Sequence, residues 1–257
     1  MNATVAFLFF SLMWVNPAQS SDPDAAARES VWLGRFEATQ RTSIPAPWEV
    51  VRLNRIATEY RLRIWDGIGS IEALADNSMA LLARPASIDL SLTPVLCWRW
   101  RIDNVVPSAD MKRKSGDDYA ARVYVAFSLP PQDMGVMARL SLRAARRLFG
   151  DAVPDAAINY VWDNRYPVQT ALPNAYTERA KMIVVQTGNA QSGQWVWEQR
   201  DVALDFAAHF HASTPKIVSI AIATDTDDTH TTAHAGFADI RFVTRGIDCA
   251  GGDQSGQ

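Results

Sequence analysis

Apolar and polar residues alternate along much of the chain with the period of two that is typical of half-buried β-strands. In the stretch EYRLRIWD, Tyr60, Leu62 and Ile64 fall on one face, and Arg61 and Arg63 fall on the other. The same alternation recurs in VLCWRWRI, YAARVYVAF, AKMIVVQTG, QWVWEQRDV, KIVSIAIATD and GFADIRFV. Because no helices of the βαβ type separate these segments, they predict an all-β fold, an antiparallel β-sandwich or jelly roll.

Two segments break this alternation and have helical periodicity instead. In MGVMARLSLRAARRLFG, residues 134–150, four arginines recur at helical spacing and Gly150 follows as a C-cap. The segment VALDFAAHF, residues 202–210, is a shorter candidate. We expect one or two short helices beside the sheets. We interpret the arginine stripe as a solvated face, with contact to an anionic glycan or a lipid headgroup as the alternative.

The first twenty residues have the pattern of a secretory signal peptide. An apolar run from Val5 to Val15 precedes Pro17 and the small residues Ala18 and Ser20. The run is shorter than the ~20 residues that cross a bilayer, and no second run follows, so no transmembrane segment is expected after cleavage. The sequence predicts a soluble periplasmic or secreted protein. Its expected parts are a flexible segment over 21–46, one β-sandwich domain over 47–245 and a flexible tail over 246–257.

The composition of the chain limits the kinds of partner that we expect. The chain has 257 residues, of which 48% are hydrophobic, and this is enough for one large all-β domain. A net charge of -3 gives no general attraction to phosphate backbones, so nucleic acid is not an expected partner. The only two cysteines are Cys97 and Cys249. In an exported chain they either form a disulfide that joins the tail to the sheet or stay as buried free thiols.

Acidic residues concentrate at the ends of two predicted strands. Asp117 and Asp118 stand at the start of one strand, and Asp225, Asp227 and Asp228 follow the apolar strand IVSIAIA. If the two strand ends lie together, their carboxylates form one cluster at the rim of the sheet. Carboxylate oxygens are the ligands of hard cations, so Asp225 and Asp227 are candidate ligands for calcium. The segment is not an EF-hand loop, because it lacks the glycine and the glutamate which that loop requires.

Such a cluster needs counter-charge, a cation or a retained proton, because several ionised carboxylates are costly together in a low dielectric. The candidate counter-charges are Arg122, Arg200 and Arg179. The cluster is therefore a structural network of aspartates and arginines, a metal site, or a catalytic acid and base pair, and the sequence leaves these alternatives open.

The nine tryptophans of the chain are candidates for stacking on a flat ligand. Trp98 with Trp100, and Trp195 with Trp197, each project to one face of a strand. That face is either the core or a concave surface that stacks on sugars. Tyr160, Trp162 and Tyr166, in the mixed segment NYVWDNRYP, are the better candidates for an exposed platform.

The ordered motifs CWRWRID, GDDYAARVYVAF, INYVWDN, WVWEQRDVALDF, IAIATDTDDT and AGFADIRF resemble a bacterial family, the domain of unknown function 3047. The resemblance covers roughly 48–243 and implies a lectin-like or jelly-roll β-sandwich without an established role. The family pattern falls on Trp98, Trp100, Gly116, Asp117, Asp118, Arg122, Tyr124, Tyr160, Trp162, Arg200, Asp205, Asp225 and Asp227. Where that pattern leads us to expect asparagine after Arg200, this chain has Asp201.

The resulting hypothesis is an exported module that binds a carbohydrate or another envelope glycan. Its ligand-binding residues would be Asp117, Asp118, Arg122, Tyr124, Tyr160, Trp162, Arg200, Asp225, Asp227 and Asp228, with calcium as a possible cofactor. One alternative is a glycoside hydrolase or lyase that uses paired carboxylates. The other is a structural envelope protein without a ligand site.

Overall fold

The computed structural model describes residues 30–36, 43–137, 139–140, 142–143, 153–210, 212 and 215–250. The predicted signal peptide and most of the predicted arginine-rich helix lie outside these residues. In the described part, no helix is long and apolar enough to cross a membrane.

The described residues form thirteen strands and the α-helix α1, Val202–His209. The strands are β1 Ser30–Gly34, β2 Glu49–Arg52, β3 Glu59–Trp65, β4 Ile68–Asp76, β5 Ala80–Pro85, β6 Val95–Ile102, β7 Tyr119–Ser128, β8 Ala156–Asp163, β9 Ala171–Asn174, β10 Thr177–Thr187, β11 Val196–Asp201, β12 Lys216–Asp225 and β13 Thr232–Val243. Asp201, the residue where the family resemblance suggests asparagine, is the N-cap of α1, and its side chain accepts a hydrogen bond from the backbone N–H of Leu204.

The strands form two sheets, which confirms the predicted β-sandwich. Sheet A has the order β11-β6-β13-β4-β3, with β1 also paired to β13, and sheet B has the order β2-β5-β12-β7-β8-β10-β9. All strand pairs of the described chain are antiparallel except β8 with β10, which are parallel. This exception arises because the hairpin of β9 and β10 packs on β8 through its second strand.

The core between the sheets is built on aromatic side chains. Trp98 and Trp100 of β6 are fully buried, with their ring centroids 5.4 Å apart in an edge arrangement. Trp98 stacks on Tyr160, and Trp100 contacts Trp162 at 5.7 Å. Of the two interpretations of the Trp98 and Trp100 pair, the structure therefore supports the core.

Both ends of the described chain are attached to sheet A. The strand β1 lies in the segment predicted to be flexible, yet Ser30 pairs with Val243 of β13. A disulfide joins Cys97 of β6 to Cys249, so the predicted flexible tail is covalently held at that residue. Strand pairing and the disulfide therefore involve residues on both sides of the range 47–245.

Candidate functional site

The two acidic segments meet at one end of the sandwich, as the sequence analysis predicts. The strands β7 and β12 are antiparallel neighbours, and Asp225 at the end of β12 lies opposite Tyr119 at the start of β7. Asp118 is fully buried, and its carboxylate accepts hydrogen bonds from the backbone N–H groups of Asp228 and Thr229. We refer to the end that holds Asp117, Asp118, Asp225, Asp227 and Asp228 as the acidic end.

Gly116 permits this arrangement. The backbone N–H of Asp110 donates a 2.8 Å hydrogen bond to the carbonyl of Gly116. A Cβ on Gly116 would lie only 2.8 Å from that same nitrogen, so a larger residue would force the segment before Asp117 apart.

Arg122 neutralises two of the five carboxylates. Its guanidinium is buried and lies 2.5 Å from Oδ2 of Asp225 and 3.5 Å from Oδ1 of Asp117. It also contacts the backbone carbonyl of Asp117. The other Asp225 oxygen accepts a 3.0 Å hydrogen bond from the backbone N–H of Tyr119. Burial raises the pKa of Asp225, and Arg122 opposes that rise. Both oxygens of Asp225 are thus engaged within the protein.

A different trio could hold a hard cation. One carboxylate oxygen from each of Asp118, Asp227 and Asp228 lies within 4.8 Å of the other two. Oδ2 of Asp227 also accepts a 2.6 Å hydrogen bond from Asn54, which the sequence analysis does not identify. Burial raises the pKa of Asp228, and the neighbouring Asp227 and Asp118 raise it further.

A pocket of about 400 Å³ adjoins this cluster at the turn between β9 and β10. Asn174 and Tyr176 line it, and both contact the acidic residues. Asn174 Nδ2 donates a 2.8 Å hydrogen bond to Oδ2 of Asp117, and the Tyr176 hydroxyl lies 2.9 Å from Oδ1 of Asp228. The Tyr176 side chain is about half exposed, at 54%. The exposed aromatic residue at the acidic end is therefore Tyr176 and not Tyr160 or Trp162.

Several buried polar atoms near this pocket have no hydrogen-bond partner among the described residues. They are the hydroxyl of Tyr119, Nε of Arg122 and Oδ1 of Asn159. Their side chains are linked, because Arg122 lies over the Tyr119 ring at 4.3 Å, while Asn159 and Asn174 both donate to the sulfur of Met182. Buried polar groups in folded proteins are nearly always paired, so a group of unpaired ones suggests a polar ligand or water nearby.

The remaining predicted site residues lie either in the network of polar side chains around Arg122 or elsewhere in the fold. Tyr124 belongs to the network, since its hydroxyl accepts a 3.1 Å hydrogen bond from Nη1 of Arg122. Tyr160 and Trp162 face the core, which contradicts the predicted exposed platform. Arg200 forms an ion pair with Asp205 beside α1, and it donates no bond to the acidic end. Asp205 also accepts a 2.7 Å hydrogen bond from the Tyr160 hydroxyl.

No curated protein matches this chain. Among solved structures, the family 11 carbohydrate-binding module of the cellulosomal cellulase Lic26A-Cel5E of Clostridium thermocellum is similar, with 8% sequence identity and a TM-score of 0.38 over 84% of this chain and 94% of that one. A cellulase derived from Cel12A of Rhodothermus marinus has 10% sequence identity and a TM-score of 0.34, over 82% of this chain and 97% of that one. The xyloglucanase domain of NopAA from Sinorhizobium fredii has 8% sequence identity and a TM-score of 0.34, over 79% of this chain and 100% of that one. Likenesses this distant carry no argument about function.

The family model described as "Protein of unknown function (DUF3047)" matches residues 46–241. The match spans both sheets and every residue of the acidic end, in agreement with the resemblance drawn from the motifs. The chain belongs to the DUF3047 family.

Proposed function

We propose that the protein binds a carbohydrate in the pocket beside Asn174 and Tyr176, at the acidic end of the sandwich. The observation that carries this proposal is the exposed ring of Tyr176, whose hydroxyl is held by the carboxylate of Asp228. A fixed aromatic ring stacks on the apolar face of a sugar, and nearby carboxylate and amide groups hydrogen-bond its hydroxyls.

The unpaired buried atoms of Tyr119, Arg122 and Asn159 support the same location. They supply both donors and acceptors, and sugar hydroxyls can act as both. The three carboxylates of Asp118, Asp227 and Asp228 add either direct acceptors or a bound cation that would coordinate sugar hydroxyls.

Catalysis receives less support from these contacts. A hydrolase of the paired-carboxylate type needs two carboxyl groups that flank a cleft. Asp118 is occupied by two backbone N–H groups, and Arg122 neutralises Asp117 and Asp225.

Export is a further part of the proposal. The disulfide between Cys97 and Cys249 supports it, because such bonds persist in oxidising compartments and are rare in the cytosol.

A glycan-array screen of the mature protein, with and without a chelator, tests the proposal. We expect Tyr176→Ala to weaken binding about tenfold, which corresponds to ~1.4 kcal/mol, while Tyr176→Phe keeps the ring and most of the affinity. Leu204→Ala, at an exposed position on α1, is the control and should bind as the wild type does.

Three outcomes decide between the alternatives. Loss of binding in chelator would assign a cation to the trio of Asp118, Asp227 and Asp228. Unchanged affinity in Tyr176→Ala would reject this pocket. Absence of binding to every glycan would favour the structural role.

A further inference from the structure

Three consecutive basic residues, Lys112, Arg113 and Lys114, border the pocket at Tyr176, and we refer to them as the basic run. All three are exposed, and none forms an ion pair with an acidic side chain of the described residues. Lys112 itself lines the pocket. The Tyr176 hydroxyl joins the basic run to the acidic end, because it lies 3.3 Å from the backbone carbonyl oxygen of Lys114 and 2.9 Å from Oδ1 of Asp228.

Two tyrosine rings hold the ammonium groups of the basic run beside the pocket. Nζ of Lys114 lies 5.2 Å from the centroid of the Tyr176 ring, and Nζ of Lys112 lies 5.3 Å from the centroid of the Tyr166 ring. A cation within about 6 Å of a ring centroid is attracted by the negative face of the ring. The ammonium group of Lys114 lies over one face of Tyr176 only, and that side chain stays 54% exposed. The pocket therefore offers positive charge and an aromatic surface together.

The backbone of the basic run is fixed by hydrogen bonds. Oδ1 of Asp110 accepts a 3.1 Å bond from the backbone N–H of Lys112 and a 3.0 Å bond from the Tyr166 hydroxyl. The backbone N–H of Arg113 donates to the carbonyl of Asp110 at 2.9 Å, and that of Gly116 donates to the carbonyl of Arg113 at 3.0 Å. The loop is thus closed on itself, so binding a ligand requires little reorganisation of its backbone.

The neighbouring carboxylates do not cancel the charge of the basic run. Asp110 lies 3.7 Å from the guanidinium of Arg165, and Asp117 lies 3.5 Å from that of Arg122. Glu178 is the acidic residue among the described residues that line the pocket. The three cations of the basic run outnumber it, so the potential on this side of the pocket favours an anion.

A ligand in this pocket therefore meets two kinds of polar group. On the acidic side, the carboxylate of Asp228 accepts hydrogen bonds, and a sugar hydroxyl can donate them. On the basic side, the ammonium groups of Lys112 and Lys114 only donate. A neutral sugar would leave these ammonium groups without a counter-charge, whereas a sugar that carries a carboxylate supplies hydroxyls for one side and an anion for the other.

We propose that the sugar bound in this pocket is a uronate. Its carboxylate meets the ammonium groups of Lys112 and Lys114. Its ring packs on Tyr176, and its hydroxyls donate to Asp228. This inference rests on the proposed carbohydrate-binding function and adds the class of sugar to it.

Calorimetric titration with oligomers of D-galacturonate, D-glucuronate and D-mannuronate tests the inference. Each oligomer is compared with its methyl ester, which removes the charge with little change in shape, and cellotriose is the neutral glycan. We expect at least one uronate oligomer to bind, and its ester to bind at least about tenfold more weakly. Raising the salt from about 0.05 to 0.5 M should weaken uronate binding several-fold and leave ester binding unchanged, because the ammonium groups are exposed.

Variants of the basic run locate the binding. The double variant Lys112→Gln, Lys114→Gln should weaken uronate binding at least about tenfold and leave the affinity for the ester unchanged. Lys216→Gln is the matched control, because Lys216 is also exposed and lies at the opposite end of β12 from Asp225. It should bind uronates as the wild type does. Tyr176→Ala should weaken the binding of uronate and ester alike.

The outcomes separate this inference from the proposed function. Uronates that bind no more tightly than their esters, or a double variant that binds uronates as the wild type does, would overturn the inference. The proposed function stands in that case if cellotriose or another glycan binds and Tyr176→Ala weakens that binding. Absence of binding to every glycan would reject both.

Discussion

The backbone N–H of Thr229 donates a 2.6 Å hydrogen bond to Oδ2 of Asp118, a residue 111 positions earlier in the chain. A second backbone N–H, that of Asp228, donates to the other oxygen at 3.3 Å. One buried carboxylate thus fixes the loop after β12 to the start of β7, and Asp228 of that loop contacts Tyr176 of the pocket.

Replacing Asp118 should therefore destabilise the fold. We expect Asp118→Ala to lower the free energy of unfolding by about 2–3 kcal/mol, because two backbone donors lose a charged acceptor in a buried place. Urea denaturation measures this. Asp227→Ala is the matched control and should cost less than about 1 kcal/mol, since its partner Asn54 is exposed. Equal midpoints for the two variants would contradict the role given to Asp118.

Breaking the buried ion pair of Arg122 and Asp225 should lower the stability of the fold further. Arg122→Met should lower the free energy of unfolding by about 3–5 kcal/mol, because Asp225 and Asp117 are left with an uncompensated buried charge. The exposed pair of Arg61 and Glu59 supplies the control, and Arg61→Met should leave the urea midpoint nearly unchanged. A combined Arg122→Met, Asp225→Leu variant should recover part of the loss, and failure to recover any would show that the cost lies elsewhere.

Glu198 should make stability depend on pH. Burial raises its pKa from 4.5 to about 7, and hydrogen bonds from Gln186 and Trp100 offset only part of that rise. Above about pH 4.5 the unfolded chain loses this proton while the folded protein keeps it until about pH 7. This contribution to stability is therefore complete below pH 4.5, falls as the pH rises, and is lost above pH 7.

The variant Glu198→Gln removes this titration. We expect the variant to be more stable than the wild type at pH 8 by about 1–3 kcal/mol, and to match it near pH 4. Thermal unfolding of both proteins at pH 4, 6 and 8 gives the comparison. A difference in Tm that stays constant over this range would show that Glu198 does not titrate as described.

The disulfide should contribute strongly, because Cys97 and Cys249 are 152 residues apart. Replacing both cysteines with alanine should lower the free energy of unfolding by about 2–5 kcal/mol. Reductant should shift the urea midpoint of the wild type in the same direction and leave the double variant unaffected. A wild type that is insensitive to reductant after equilibration while unfolded would contradict the prediction.

The sequence predicts the sandwich and the meeting of the acidic segments for one physical reason. Alternation sets which side chains face the core, and antiparallel neighbours bring the start of β7 beside the end of β12. Alternation does not show which charged side chains pair with one another across the fold. Arg200 is bound by Asp205 only five residues later, so it is not available to the acidic end.

The prediction that the segment INYVWDN is exposed was wrong for a different reason. Its polar members Asn159 and Asp163 face outward, but a second cluster of buried side chains covers part of that face, including Met111 and Met182. Mixed polarity therefore did not indicate exposure. Tyr176 had no signal of its own, because its role depends on a turn that meets Asp228 from 52 residues away.

The pairing of Ser30 with Val243 has a consequence for how the domain is presented. The strand β13 runs from the acidic end to the opposite end of the sandwich, so Ser30 lies at that opposite end together with Val243. A partner domain or surface linker fused before Ser30 would therefore attach at the end opposite the acidic end. Immobilised in this way, the molecule would stand with its acidic end directed toward the medium.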